Sequence, residues 1–139
     1  MTSAKALATQ QTTGTFDVRI TPVQPASDAA PDAPGRMLLA KTFQGGMEGV
    51  GAGEMLATMG PERSGAYVAL ERVTGSVDGR SGSFALVHKG LMDKGAQDLS
   101  IVIVPGSGTD DLTDISGVFH LTIADGEHRY VLEYSLPAA

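Results

Sequence analysis

Three side chains able to hold or move a proton, Tyr67, Glu71 and His88, fall on two apolar runs, Tyr67 to Val77 and Arg80 to His88, joined by Asp78-Gly79. Asp-Gly readily supplies the two positive φ values of a two-residue hairpin, so the turn sets a register. Val77 then opposes Arg80, and Val73, Glu71 and Ala69 oppose Phe84, Leu86 and His88. Glu71 and His88 lie diagonally across the pair, within hydrogen-bond reach, on the face that also carries Tyr67, Phe84 and Leu86. An acid and an imidazole in apolar surroundings shift their proton affinities and exchange a proton with a bound molecule. The competing reading of the same residues is a structural ion pair, or a polar rim at one barrel mouth. Glu71, His88 and Tyr67 are the candidate catalytic residues, and Phe84 and Leu86 candidate ligand contacts.

A second Asp-Gly turn, Asp125-Gly126, gathers Phe119, Leu121, Ile123, Tyr130, Leu132 and Tyr134 on one side. His120, Thr122, Arg129 and Glu133 take the other, where His120 and Glu133 form a diagonal, solvent-facing pair. Tyr130 and Tyr134 join the candidate ligand-binding residues. Glu54, at the start of a strand after a glycine-rich stretch, is a further candidate for the barrel interior, with no recognisable turn to set its register. His88, His120 and His128 lack ligand spacing, so no metal site is expected. The absence of cysteine excludes a thiolate nucleophile, a disulfide and a zinc-thiolate or iron-sulfur site. Gly106 to Asp111 lacks the lysine of a phosphate loop, and its aspartates miss the twelve-residue calcium pattern. It reads as a turn-rich loop at the barrel mouth, and no cofactor is expected.

Strands must position these groups. Phe16, Val18 and Ile20 alternate with polar neighbours, the period of a strand with one buried face. Seven further runs follow: Met37 to Phe43, Glu54 to Met59, Tyr67 to Val77, Arg80 to His88, Leu99 to Val104, Ile115 to Ala124 and Glu127 to Leu136. Eighteen glycines and seven prolines supply turns, and no window shows helical spacing over three turns. The expectation is an all-β fold, a closed antiparallel barrel of about eight strands, in one domain over residues 14–139. Residues 1–13, small and polar, are expected to form a disordered tail, and Pro22 to Gly35, with four prolines, a mobile surface loop. A net charge of −6 disfavours nucleic acid and anionic membrane surfaces as partners. With no apolar run of signal-peptide or membrane-span length, a cytoplasmic protein is expected. Both faces of the first hairpin are substantially apolar; a barrel interior covers only one, so a second copy is expected on the other, giving a homodimer.

Glu48-Gly49-Val50-Gly51, Tyr67-Val68-Ala69-Leu70-Glu71-Arg72, Gly79 to Phe84, His88-Lys89-Gly90, Pro105 to Thr109 and His128-Arg129-Tyr130, in that order, resemble the bacterial family of unknown function numbered 3224. The resemblance spans about Gly14 to Leu136. It implies a calycin-like barrel similar to the plant allene oxide cyclases, a fold that also hosts bacterial ring-forming enzymes. It further implies isomerisation or cyclisation of a small apolar unsaturated substrate, held in a reactive shape while a few polar groups stabilise developing charge. It carries no established catalytic residues to transfer. The alternatives are a non-catalytic ligand carrier and a structural or interaction barrel filled by its own side chains.

Overall fold

Side chains alternate inward and outward along the strands of a sheet that closes on itself. In the computed structural model, which describes residues 9–137, the strands are β1 (Gln10–Val23), β2 (Gly35–Gly45), β3 (Met47–Met59), β4 (Gly65–Val77), β5 (Arg80–Asp93), β6 (Ala96–Ile103), β7 (Ser116–Ala124) and β8 (Glu127–Ser135). Each pairs antiparallel with the next, and β8 pairs with β1. Both Asp-Gly hairpins have the expected register, with Val77 opposite Arg80 and Ile123 opposite His128. All four turn residues have positive φ: 48° and 86° at Asp78 and Gly79, 53° and 76° at Asp125 and Gly126.

Several strands run past the expected apolar runs, β5 to Asp93 and β6 from Ala96 among them, and Pro22 and Val23 of the expected loop belong to β1; two boundaries change the reading of the interior. β1 begins at Gln10, and Gln10 to Thr13 pair with Tyr134 to Val131 of β8, so these residues close the barrel instead of forming a tail. The rest of the expected tail, residues 1–8, lies outside the described residues. β3 begins at Met47 and takes in the glycine-rich stretch, because Gly49, Gly51 and Gly53 occupy inward positions where neighbouring strands press close. A Cβ on Gly53 would collide with the backbone of Leu70 and Glu71.

The barrel interior divides into a packed half and an open half. At the packed end, the Phe119 and Tyr130 rings stack with centroids 5.4 Å apart, and Phe43 meets both edge-on. Phe84, Leu86 and Leu132 fill the space beneath, each fully buried and each contributing about 1.5–3 kcal/mol of hydrophobic stabilisation. The Tyr130 hydroxyl accepts the Met47 N–H at 2.8 Å and donates to the Gln44 carbonyl at 2.9 Å, pinning the β2–β3 turn to β8. Nearby, the Asp78 carboxylate accepts from Thr12 at 2.7 Å and from Tyr134, so one turn residue ties β1 and β8 to the β4–β5 hairpin. Burial and the bond to Asp78 push the Tyr134 phenol up to about 12.

The loop from Val104 to Ile115 seals this same end and is not part of the cavity mouth. β6 ends opposite Leu86, which leaves the first half of β5 without a strand partner on the edge away from β4. The loop supplies one: Ala85 N–H donates to Ser107 Oγ at 2.9 Å, Thr109 N–H to the Ser83 carbonyl at 2.9 Å, and Ser83 N–H to Thr109 Oγ1 at 3.0 Å. A single 3-10 turn, Asp110–Leu112, then drives Leu112 into the core, followed by Ile115.

On the outer face of β3 to β5, Val50, Leu56, Val68 and Leu70 stand exposed, Leu70 at 61%. Among the described residues no helix is long and apolar enough to cross a membrane.

Tyr130→Phe removes the acceptor of a buried backbone N–H. The expected loss is about 1–3 kcal/mol in urea unfolding, with an unchanged slope against denaturant.

Candidate functional site

The open half of the barrel holds a cavity of about 380 Å3, within the range of small-molecule sites. It opens at the end where the β1–β2, β3–β4, β5–β6 and β7–β8 connections lie. Its walls are apolar, with Val18, Ile20, Leu39, Met55, Ala57 and Leu121 among them. Six polar side chains interrupt this lining: Gln97, Asp98 and His128, and Lys41, Tyr67 and His88, which meet on one wall.

Behind them sits Glu71. Its side chain has 0% exposure, and its Oε1 accepts from Lys41 Nζ at 2.8 Å and from His88 Nε2 at 2.6 Å. The Glu71–His88 diagonal is the one the hairpin register dictates, since Glu71 opposes Leu86 and His88 opposes Ala69. Lys41 arrives from two strands away. Gly51 stands opposite Lys41 on the intervening strand, and with no side chain there the lysine reaches over β3 to the carboxylate. A Cβ on Gly51 would lie 2.8 Å from Glu71 Oε2 and 3.1 Å from Phe43 Cε2, so glycine is what makes room for the acid. Lys41 Nζ also lies 5.0 Å from the centre of the Phe16 ring, a cation–π contact.

Burial alone would raise the Glu71 carboxyl. The hydrogen bond from His88 and the charge of Lys41 outweigh it and hold the carboxyl below its ordinary value. Oε2 is buried and has no hydrogen-bond partner, so the anion depends on what Oε1 receives. Tyr67 packs its ring over Gly90, where any Cβ would collide with it, and stands 6.4 Å from the His88 ring. Burial, with the nearby Glu71 charge, raises its phenol, so Tyr67 enters the cavity wall as a protonated donor.

The structure thus brings Glu71, His88 and Tyr67 together and separates the other candidates from them. Phe84, Leu86, Tyr130 and Tyr134 belong to the packed half and do not line the cavity. Glu54 points outward: with Gly53 and Met55 inward, period two puts it on the outer surface, paired with Arg36 at 2.8 Å. The His120–Glu133 pair is in place at 3.1 Å, on the exposed face. The residue that sequence reasoning misses is Lys41. Its signal is a lone cation between Leu39 and Phe43 at strand spacing, but without the β3 register nothing connects it to Glu71.

The barrel and its motifs have relatives among known proteins. A family model described as "Protein of unknown function (DUF3224)" matches residues 12–134. The chain belongs to the DUF3224 family. A crystal structure of a DUF3224 protein of unknown function from Shewanella oneidensis is 38% identical, with a TM-score of 0.87, covering 95% of this chain and 100% of that one. The eight-stranded closed barrel is therefore shared with a DUF3224 relative. Among curated proteins none matches the chain.

The buried cluster makes stability depend on each of its members. Lys41→Met strands an uncompensated carboxylate, and at neutral pH the expected cost is about 3–5 kcal/mol in urea unfolding. In the wild type the native carboxyl titrates lower than in the unfolded chain. Its contribution is therefore full above the ordinary carboxylate value of about 4.3 and is lost as pH falls through the lowered native value. The gap between Lys41→Met and wild type should accordingly narrow across that acidic window, as read from unfolding midpoints at stepped pH. Gly51→Ala, which displaces the same carboxylate by steric contact, should cost about 1–3 kcal/mol.

Proposed function

We propose that this DUF3224 protein binds a small, largely apolar molecule in the open half of its barrel, with the molecule's polar group against Lys41 and His88. The chemistry we assign to it is isomerisation, ring closure included. The observation that supports this reading is a cation, a carboxylate and an imidazole joined in one hydrogen-bonded cluster at the wall of a predominantly apolar cavity. A barrel needed only as a scaffold would gain more stability from apolar residues at these positions, because desolvating ions costs several kcal/mol each. The likeness to allene oxide cyclases implied by the sequence motifs agrees with this choice of reaction class. Filling by side chains, the structural alternative, accounts for one half of the barrel only.

The test uses 2-naphthol, an apolar bicycle with a single hydroxyl, observed by ligand NMR. Binding is expected for the wild type and at least a tenfold weakening for Ala57→Trp, which fills the cavity. Equal affinity for both proteins would reject the cavity as the site. Binding combined with recovery of every tested unsaturated ketone unchanged would favour the carrier reading.

The second copy expected from the sequence we place on the outer face of β3 to β5. The exposed large apolar side chains at its outward positions are Val50, Leu56, Val68, Leu70, Val87 and Leu91, interspersed with Glu54, Arg72 and Lys89, against Val118 on the outer face of β7. Sedimentation equilibrium should give twice the chain mass for wild type and the chain mass for Leu70→Glu. A wild-type mass of one chain rejects the dimer.

A further inference from the structure

The polar atoms on the cavity wall are complementary in a way that selects among apolar ligands. Glu71 is a carboxylate and accepts at Oε1, so His88 donates through Nε2–H. In the tautomer with Nε2–H on Glu71 the lone pair is on Nδ1, the remaining polar atom of a side chain that lines the cavity. Lys41 spends one N–H on the same Oε1 and has two more to offer. Because imidazole and ammonium are both bonded to one oxygen, they stand close enough to engage a single functional group of a ligand. One is a proton acceptor, the other a cationic donor.

We infer that the ligand is an enolisable ketone, and that the site interconverts it with its isomer through the enolate. This deepens the binding reading above and rests on it. His88 Nδ1 takes a proton from the carbon next to the carbonyl. The C–H electron pair becomes the new carbon–carbon double bond, and the carbonyl π pair moves to oxygen, where Lys41 Nζ donates to the enolate. Once the proton held on His88 Nδ1 has traded with solvent, return of a proton to the same carbon leaves a solvent hydrogen there. Its return to the γ carbon of an unsaturated ketone shifts the double bond. No oxidant, reductant or co-substrate enters, and the ring of His88 ends as it began.

The division of labour among the residues follows from contact. His88 and Lys41 face the cavity and are the catalytic residues. Glu71 is sealed behind them and is a positioning residue, holding the His88 tautomer and the Lys41 ammonium through one oxygen. The apolar walls strengthen the Lys41–enolate attraction relative to water and raise the acidity of the bound ketone.

The experiment is deuterium incorporation into 2-tetralone in D2O, followed by proton NMR, with 2-naphthol as a planar analogue of the enol. The full-length wild type should exchange the proton between ring and carbonyl at least a hundredfold faster than buffer, and 2-naphthol should compete. His88→Gln and His88→Asn should still bind 2-naphthol yet lose exchange by a hundredfold or more. Lys41→Met should lose about a hundredfold and weaken 2-naphthol binding. Glu71→Gln should lower kcat more than it raises KM and move the pH profile of kcat, which a purely structural role would not do. His120→Gln, on the outer surface, should exchange like wild type and controls for imidazoles outside the cavity. Amide NMR spectra of each variant report that it folds. Binding of both probes with exchange no faster than buffer, or equal exchange in wild type and both His88 variants, overturns the enolate inference and leaves the binding reading standing. Absence of binding by either probe overturns both.

Discussion

A carboxylate removed from water sets the terms for the rest of this barrel. Glu71 has no exposed side-chain surface, and one of its oxygens has no partner. Such a group survives only if nearby donors outweigh its desolvation, which costs several kcal/mol. Two do so, from strands on either side: Lys41 on β2 and His88 on β5. The lysine gets there because Gly51 leaves the strand between them bare. Acid, cation, imidazole and glycine therefore act as one unit spanning four strands, and a change in any one is felt by the other three.

The packed end of the barrel holds that unit still. The aromatic stack of Phe43, Phe119 and Tyr130, the hydrogen bonds from Tyr130 to the β2–β3 turn, and the grip of Thr12 and Tyr134 on Asp78 tie all strands but β6 into one floor. The seam between β6 and β7 is the thinnest part of the sheet, with Val102 opposite Val118 as its ladder contact. There the Val104 to Ile115 loop takes over, bonding back to Ser83 and Ala85 and plugging the floor with Leu112. A rigid floor beneath an open cavity is the arrangement that lets polar groups be preorganised without filling the space a ligand needs.

Much of this is legible in the chain. Asp78-Gly79 and Asp125-Gly126 each specify a two-residue turn, and period two then assigns every side chain of those hairpins to a face. The Glu71–His88 contact therefore follows from residue order and turn chemistry. Sequence and fold part company where no such turn exists. A strand begun after the glycines leaves the facing of Glu54 unset, whereas the true strand starts at Met47 and turns it out. Gln10 to Thr13 look like tail because polar residues give no hydrophobic signal even when they carry ladder hydrogen bonds. The alternating glycines at 49, 51 and 53 are themselves a strand pattern with an empty inner face.

What the sequence determined by itself is local: eight strands, two hairpin registers, one polar diagonal inside, and membership motifs spread along the chain. What only the tertiary structure decided is which half of the interior is full and which is open, and that Lys41 completes the cluster. Those facts depend on contacts between strands that are not neighbours in the sheet, across a barrel whose closure couples every register to every other. No turn encodes such a contact. Its trace in the chain is a glycine opposite a lysine on the next strand, and that pairing acquires meaning only once the sheet has curled around it.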